Sequence, residues 1–331
     1  MSSADLDDVE ISDNGAVLLG ENVVCDSHYQ RPLRIISHAH SDHMLGISDS
    51  LKFCEKVVAT PVTKDIIGIL KGKETADPVV SLDYGLPFEY RGERVILYPA
   101  GHIPGSAQVL VETRENQRIL YTGDFRYPPA EVVETDILIT EATYGNPECV
   151  RDFNDNVETE LTGLIKKSLK NNSVYIFGFY GKVQEVVTIL NNSDINVPIV
   201  VPEKIFKILK VCSSHGMKVK DFYFSKSDAG IEIRKAPHIG VYHTTAARWT
   251  GKDAVKILLT GWQFDAPVKP VGEKKFRVAL SDHSDFNQLL EFISMVHPTL
   301  VVTDGYRARE AGLFALEINN RLGIRAVSRP R

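Results

Sequence analysis

The chain has 331 residues, 43% hydrophobic and 24% charged, with a formal net charge of −5. That length suits about two domains of ~150 residues, and the composition excludes intrinsic disorder as the main state. No apolar run nears the ~20 residues that cross a bilayer, and four cysteines without CxxC spacing exclude a disulfide framework or a zinc ribbon. The acidic stretch 1–10 lacks the apolar core of a signal peptide, so the expected location is cytoplasmic, with no membrane association. In chain order, β-rich runs bounded by Gly, Asp and Pro predict strands at 16–19, 22–25, 33–36 and 55–59. Thr60-Pro61 opens a helix over 62–70. Further strands follow at 87–90, 94–98, 108–112, 118–122 and 136–140. Such frequency predicts packed sheets.

The middle of the chain changes character. Apolar residues at 157, 161, 164, 165 and 169 predict a helix over 154–170, capped by Asn154 or Asp155. A strand at 173–177, a helix from 181 to 190, a strand at 198–201 and a helix at 202–212 then alternate, which predicts a small parallel α/β layer. The last stretch predicts a strand at 255–260, a helix at 286–295, a strand at 299–303 and a helix at 310–321 that stops at Gly323. Residues 151–275 carry 19 basic and 13 acidic side chains, a net of +6 against −11 elsewhere. A phosphate-binding surface beside a carboxylate-rich metal site would give that asymmetry, and so would two unequal solvated surfaces.

One segment stands above the rest: His38-x-His40-x-Asp42-His43, directly after an apolar strand. At a strand end, residues i and i+2 point the same way, so His38 and His40 can share one cation while Asp42 and His43 turn toward a second. Neutral imidazole and carboxylate suit zinc, and also manganese or iron. His102, Asp124 and His283 each stand at a predicted strand–loop or loop–helix junction. A lone histidine of this kind is more often a satisfied structural residue. Their weight is collective, beside a motif already dense in ligand types.

These motifs resemble the metallo-β-lactamase superfamily and, within it, the β-CASP nucleases. The resemblance spans nearly the whole chain: Asp26 after a strand, the His38–His43 motif, His102 in Ala-Gly-His-Ile-Pro-Gly-Ser, Asp124 in Thr-Gly-Asp-Phe, Glu141 in Glu-Ala-Thr-Tyr-Gly, and His283 in Ser-Asp-His-Ser-Asp. Gly181-Lys-Val-Gln-Glu185 is similar to the family's Gly-Arg-x-Gln-Glu helix start. Leu280–Phe286, Thr260-Gly-Trp262 and the short length look most like the ligase-associated DNA exonuclease branch, which is also labelled an mRNA 3′-end processing factor.

The resemblance implies an α/β fold: an αββα metallo-β-lactamase sandwich from 1–148 and 277–331, with an inserted α/β β-CASP cap over 149–276. It implies two divalent metal ions, zinc first, with manganese or iron as alternatives. His38, His40 and His102 would hold one ion, Asp42, His43 and His283 the other, and Asp124 would bridge them. The hydroxide activated between the ions would attack the scissile phosphate. Asp42 and Asp124 would contribute to catalysis, Asp26 would orient a ligand, and Glu141 would orient a ligand or relay a proton. Lys182 at a helix start, with Arg248 and Lys252, would bind nucleic-acid phosphate. Trp249 and Trp262 offer stacking faces, although both are expected in the core.

The implied activity is exonucleolytic hydrolysis of single-stranded DNA in repair, with a DNA ligase or helicase as candidate partner. The alternative is a β-CASP ribonuclease acting in transcript 3′-end maturation or decay. A catalytically silent scaffold and a hydrolase of small esters or thioesters are weaker readings. One position departs from the family pattern: Asp304-Gly305 stands where His-Gly or valine is usual. Next to a phosphate, an aspartate there must be protonated, turned away, or paired with Arg307 or Arg309.

Overall fold

The computed structural model describes residues 9–219, 221–248 and 254–330. The chain divides into two compact units, Met1–Val150 with His283–Arg331, and Arg151–Asp282. The return to the first unit was expected after 276 and comes later. Strand Lys275–Val278 pairs in parallel with Val255–Leu259, and Val278 and Leu280 join the middle unit's core.

The first unit is built on two mixed sheets. One runs Val9–Ile11, Ala16–Leu19, Val23–Asp26, Leu33–Ile35, Lys56–Ala59, Val80–Ser81. The other runs Arg325–Arg329, Leu300–Asp304, Ile137–Thr140, Arg118–Tyr121, Ala107–Glu112, Glu93–Pro99, Phe88–Tyr90. Side chains alternate across each strand. Val109, Val111, Ile119, Tyr121, Ile137, Ile139 and Val302 therefore share a core with Val17, Leu19, Val23, Cys25, Leu33 and Ile35 of the facing sheet. Their neighbours Leu110, Leu120, Leu138 and Val301 point to the opposite face, where Phe286, Leu289, Phe292 and Ile293 of helix Phe286–Val296 and Phe314 and Ile318 of helix Ala311–Leu322 cover them. Each such buried apolar side chain contributes roughly 1.5–3 kcal/mol. The result is an α/β sandwich.

Local signals start the helices where the chain needs them. Thr60 Oγ accepts from Thr63 N at 3.2 Å and Pro61 takes the first position of helix Pro61–Lys71. Asp285 and Gln288 form a reciprocal box, Gln288 N to Asp285 Oδ1 at 3.1 Å and Asp285 N to Gln288 Oε1 at 3.0 Å. That box holds His283 just ahead of a rigid helix. The short helix Ile47–Phe53 and the edge strand Arg325–Arg329 had no expectation in the sequence. The strand's register is set by parallel pairing with Leu300–Asp304, which a five-residue run with charged ends does not announce.

The middle unit holds one seven-stranded sheet, ordered Phe222–Phe224, Ile199–Val201, Ile239–His243, Val174–Gly178, Val255–Leu259, Lys275–Val278, Val268–Gly272. All neighbours are parallel except the last pair. Helices Val157–Leu169, Lys182–Asn192 and Glu203–Ser214 bury Leu161, Ile165, Val186, Val187, Ile205 and Leu209 against it. The expected cap at Asn154 or Asp155 is absent. A 3-10 turn, Asn154–Asn156, leads into the helix, and the capping residue Asn156 makes no side-chain cap bond. No helix among the described residues is long and apolar enough to cross a membrane.

Candidate metal centre

The first unit delivers its polar residues at strand ends. Asp26 is the last residue of Val23–Asp26, and His38–His43 follows Leu33–Ile35. His102 follows Glu93–Pro99, Asp124 follows Arg118–Tyr121, and Glu141 follows Ile137–Thr140. His283 precedes helix Phe286–Val296. Gly123 keeps the Asp124 loop close to the histidine loop: a Cβ there would meet Ser37 at 3.1 Å, and its φ of +55° suits glycine.

Four donor atoms converge. His38 Nε2 and His102 Nε2 each lie 3.1 Å from His40 Nδ1. Asp124 Oδ2 lies 3.7 Å from both Nε2 atoms. A tetrahedral cation with bonds of about 2.05 Å needs donors about 3.3 Å apart, so this spacing fits one. Burial and the imidazoles of His43, His102 and His40 hold His38 well below the usual histidine range, which keeps its ring neutral with a lone pair to give. Burial opposes the charge on Asp124, yet His43, His283 and His102 draw its pKa well below the ordinary carboxylate value.

A second group lies beside the first. His43 Nε2 is 3.4 Å from Asp124 Oδ2 and 3.5 Å from Asp42 Oδ2. The ring is fully buried, and that nitrogen has no hydrogen-bond partner. Burial opposes protonation of His43, but the charges of Asp124 and Asp26 outweigh it and raise the group to about 10. The pocket thus favours positive charge at that nitrogen. A buried imidazole nitrogen without a partner, aimed between two carboxylates, fits a divalent cation. Asp124, Glu141 and His283 also bring donor atoms within 4.8 Å of one another.

The outer nitrogens of two of these rings are held by buried carboxylates. His43 Nδ1 lies 2.7 Å from Asp26 Oδ2. Asp26 also accepts from Ser37 N at 2.9 Å, Ser37 Oγ at 3.1 Å and Tyr121 Oη at 2.8 Å. Burial would raise its pKa, but His43, Arg307 and the Ser37 bond lower it. His283 Nδ1 lies 2.9 Å from Glu141 Oε2, and Glu141 Oε1 accepts from Phe125 N at 2.8 Å. Of the two roles expected of Glu141, the contact at His283 Nδ1 is the geometry of a residue that orients His283. Ser37, Tyr121 and the fully buried Arg34 were not anticipated. A serine before a histidine motif, a tyrosine in an apolar strand and an arginine in the run Leu-Arg-Ile-Ile were the available signals.

The cationic residues of the middle unit stand differently from expectation. Lys182 is buried and its ammonium pairs with Asp282, so it is not an exposed phosphate contact. The side chain of Arg248, together with Trp249 and Lys252, lies outside the described residues. Trp262 was expected in the core and is 63% exposed, because it follows strand Val255–Leu259 on a loop. Phe179, after strand Val174–Gly178, is 57% exposed.

Two facing sheets with a buried His/Asp donor cluster at their strand ends define the class: an α/β sandwich equipped to hold divalent metal. The family model "Metallo-beta-lactamase superfamily" matches residues 35–176. The chain is 33% identical over 140 residues to a protein described as "Uncharacterized protein in lig 3'region" of Acidianus ambivalens, covering 42% of this chain and all of that one. It is 27% identical to a "Probable DNA ligase" of Opitutus terrae, over 91% of this chain but only 30% of the ligase-named protein. It is 26% identical to an "RNase J-like protein" of Methanocaldococcus jannaschii, over 79% of this chain and 78% of that one. The chain belongs to the metallo-β-lactamase superfamily and, within it, to the β-CASP nucleases. By class it is a phosphodiesterase hydrolase, in a superfamily that binds divalent metals.

Proposed function

We propose that the protein is a metal-dependent nuclease that hydrolyses single-stranded DNA, as an exonuclease in repair and in association with a DNA ligase or helicase. The observation that carries this reading is the convergence of His38, His40, His102 and Asp124 around one point, with the buried Nε2 of His43 facing Asp124 and Asp42 beside it. His38, His40 and His102 would hold one ion, Asp42, His43 and His283 would hold the other, and Asp124 would serve both. Zinc suits the imidazole-rich set. Divalent ions bound there would supply positive charge for the scissile phosphate and lower the pKa of an attacking water.

The rest is done by the chain's own residues. Asp26 and Glu141 keep His43 and His283 in the tautomer that turns Nε2 inward. The unit 151–282 serves as the β-CASP cap. Its excess of basic side chains favours a polyanion, and exposed Trp262 and Phe179 offer faces on which unpaired bases stack. A relative named for a DNA ligase supports DNA as substrate, and cytoplasmic repair is its setting. A second reading, an RNA-processing β-CASP ribonuclease, is favoured by the RNase J-like relative.

Time courses on matched end-labelled single-stranded DNA and RNA, with zinc, manganese and iron measured on the same sample, test both. DNA shortening faster than RNA, from an end, with about two ions per chain, is the expected result. Preference for RNA moves the assignment to the second reading, and an unaltered rate after full chelation overturns both.

A further inference from the structure

Asp304 closes the buried strand Leu300–Asp304, which is paired in parallel on both sides with Ile137–Thr140 and Arg325–Arg329. Its carboxylate is engaged by the turn it starts. Oδ1 accepts from Tyr306 N at 3.0 Å and Arg307 N at 3.2 Å, and Oδ2 accepts from Arg307 Nη1 at 2.8 Å. The arginine is thus held by its main chain and its side chain at once. Both side chains are nearly excluded from solvent, at 9% and 2% exposure.

The other arm of the guanidinium points elsewhere. Arg307 Nη2 donates to Gly15 O at 2.8 Å and, at the longer distance of 3.4 Å, to Asp42 O. Gly15 precedes Ala16, the register partner of Asp26. Tyr306 lies so close to Gly15 that a Cβ there would come within 2.3 Å of the ring. One side chain therefore ties the end of strand Leu300–Asp304 to the turn beside Asp26 and to the main chain of Asp42. The adjacent carbonyl, His43 O, faces the buried Arg34 guanidinium at 3.4 Å.

We propose that Arg307, anchored by Asp304, is a positioning residue that holds the Asp42–His43 turn and so sets one of two metal positions. The inference rests on the metal reading above. It gives Asp304 a part that needs no contact with substrate. The His38, His40 and His102 position is expected to be independent of the strut, because among the described residues the Arg307 side chain bonds to Asp304, Gly15 and Asp42. A buried ion pair is a weak device for stability alone, since well-packed apolar replacements are often neutral or better. That difference separates positioning from mere support.

The test is a stepwise titration of the full chain with zinc against a chromophoric chelator, with thermal melting run in parallel. Wild type should bind two ions. Arg307→Met should weaken one step by at least ~10-fold, the range for partners of metal ligands, and leave the other unchanged. Arg307→Lys and Asp304→Asn, which keep part of the network, should fall between. The double variant Asp304→Leu with Arg307→Met should recover melting temperature but not the weakened step. Wild-type-like binding of both ions by the melted-in-range double variant overturns the proposal alone, as does equal weakening of both steps in the milder variants. A wild-type chain that takes up no divalent ion overturns the metal reading, and the inference with it.

Discussion

Asp26 Oδ2 and His43 Nδ1 stand 2.7 Å apart in a fully buried position, and this contact determines which nitrogen of the imidazole faces the donor cluster. With its proton committed to Asp26, Nδ1 is unavailable, and Nε2 is left between Asp42 and Asp124. The Glu141–His283 contact repeats the arrangement at 2.9 Å from a different strand.

Asp26→Asn should therefore lower metal affinity by ~10–100-fold, as loss of a partner behind a ligand does. It should also destabilise the fold by roughly 1–3 kcal/mol, because Ser37 and Tyr121 donors lose an ionised acceptor. Glu141→Gln should be milder, since its amide oxygen can still accept from Phe125 N. Metal titration and denaturant melts on both variants check this, and unaltered affinity in Asp26→Asn would remove Asp26 from the site.

Asp124→Asn and His40→Ala each remove a member of the converging set. Cleavage should fall by more than the ~10–100-fold seen for partners of ligands, and bound metal should drop with it. Circular dichroism should stay near wild type. Full cleavage by a metal-depleted Asp124→Asn protein is the result that sinks the mechanism.

Lys182→Met should act on stability and not on phosphate binding. Its partner Asp282 is only 2% exposed at the side chain, and breaking one half of a buried pair costs about 3–5 kcal/mol. The salt dependence of oligonucleotide binding should keep its wild-type slope. A slope lowered by about one unit would restore Lys182 as a phosphate contact.

Trp262→Ala should weaken binding of single-stranded oligonucleotides by ~1–3 kcal/mol per stacked base, with metal content unchanged. Phe179→Ala should do the same. Fluorescence anisotropy on a labelled oligonucleotide measures it, and wild-type affinity in both variants would leave these rings without a part in binding.

Much was readable in the amino-acid order because it is local. The strands that carry Asp26, His38, Asp124 and Glu141 are short apolar runs whose two-residue alternation needs no tertiary information. The density of imidazole and carboxylate in 38–43 is likewise a property of six consecutive positions. The cap of helix Val157–Leu169 and the end of the inserted unit were misplaced, because a 3-10 lead-in and a parallel strand register are settled by packing. Burial could not be read for Lys182 or Trp262, since one lysine and one tryptophan look alike in a sequence whether they face water or a partner. Residue types and their strand-end positions follow from the amino-acid order alone. That Arg307 reaches Gly15 and Asp42, and that Asp26 and Glu141 each take one nitrogen of a histidine, follows from packing alone, because hydrogen bonds across 292, 265, 17 and 142 residues depend on which strands pair, how the two sheets face each other and where a helix docks.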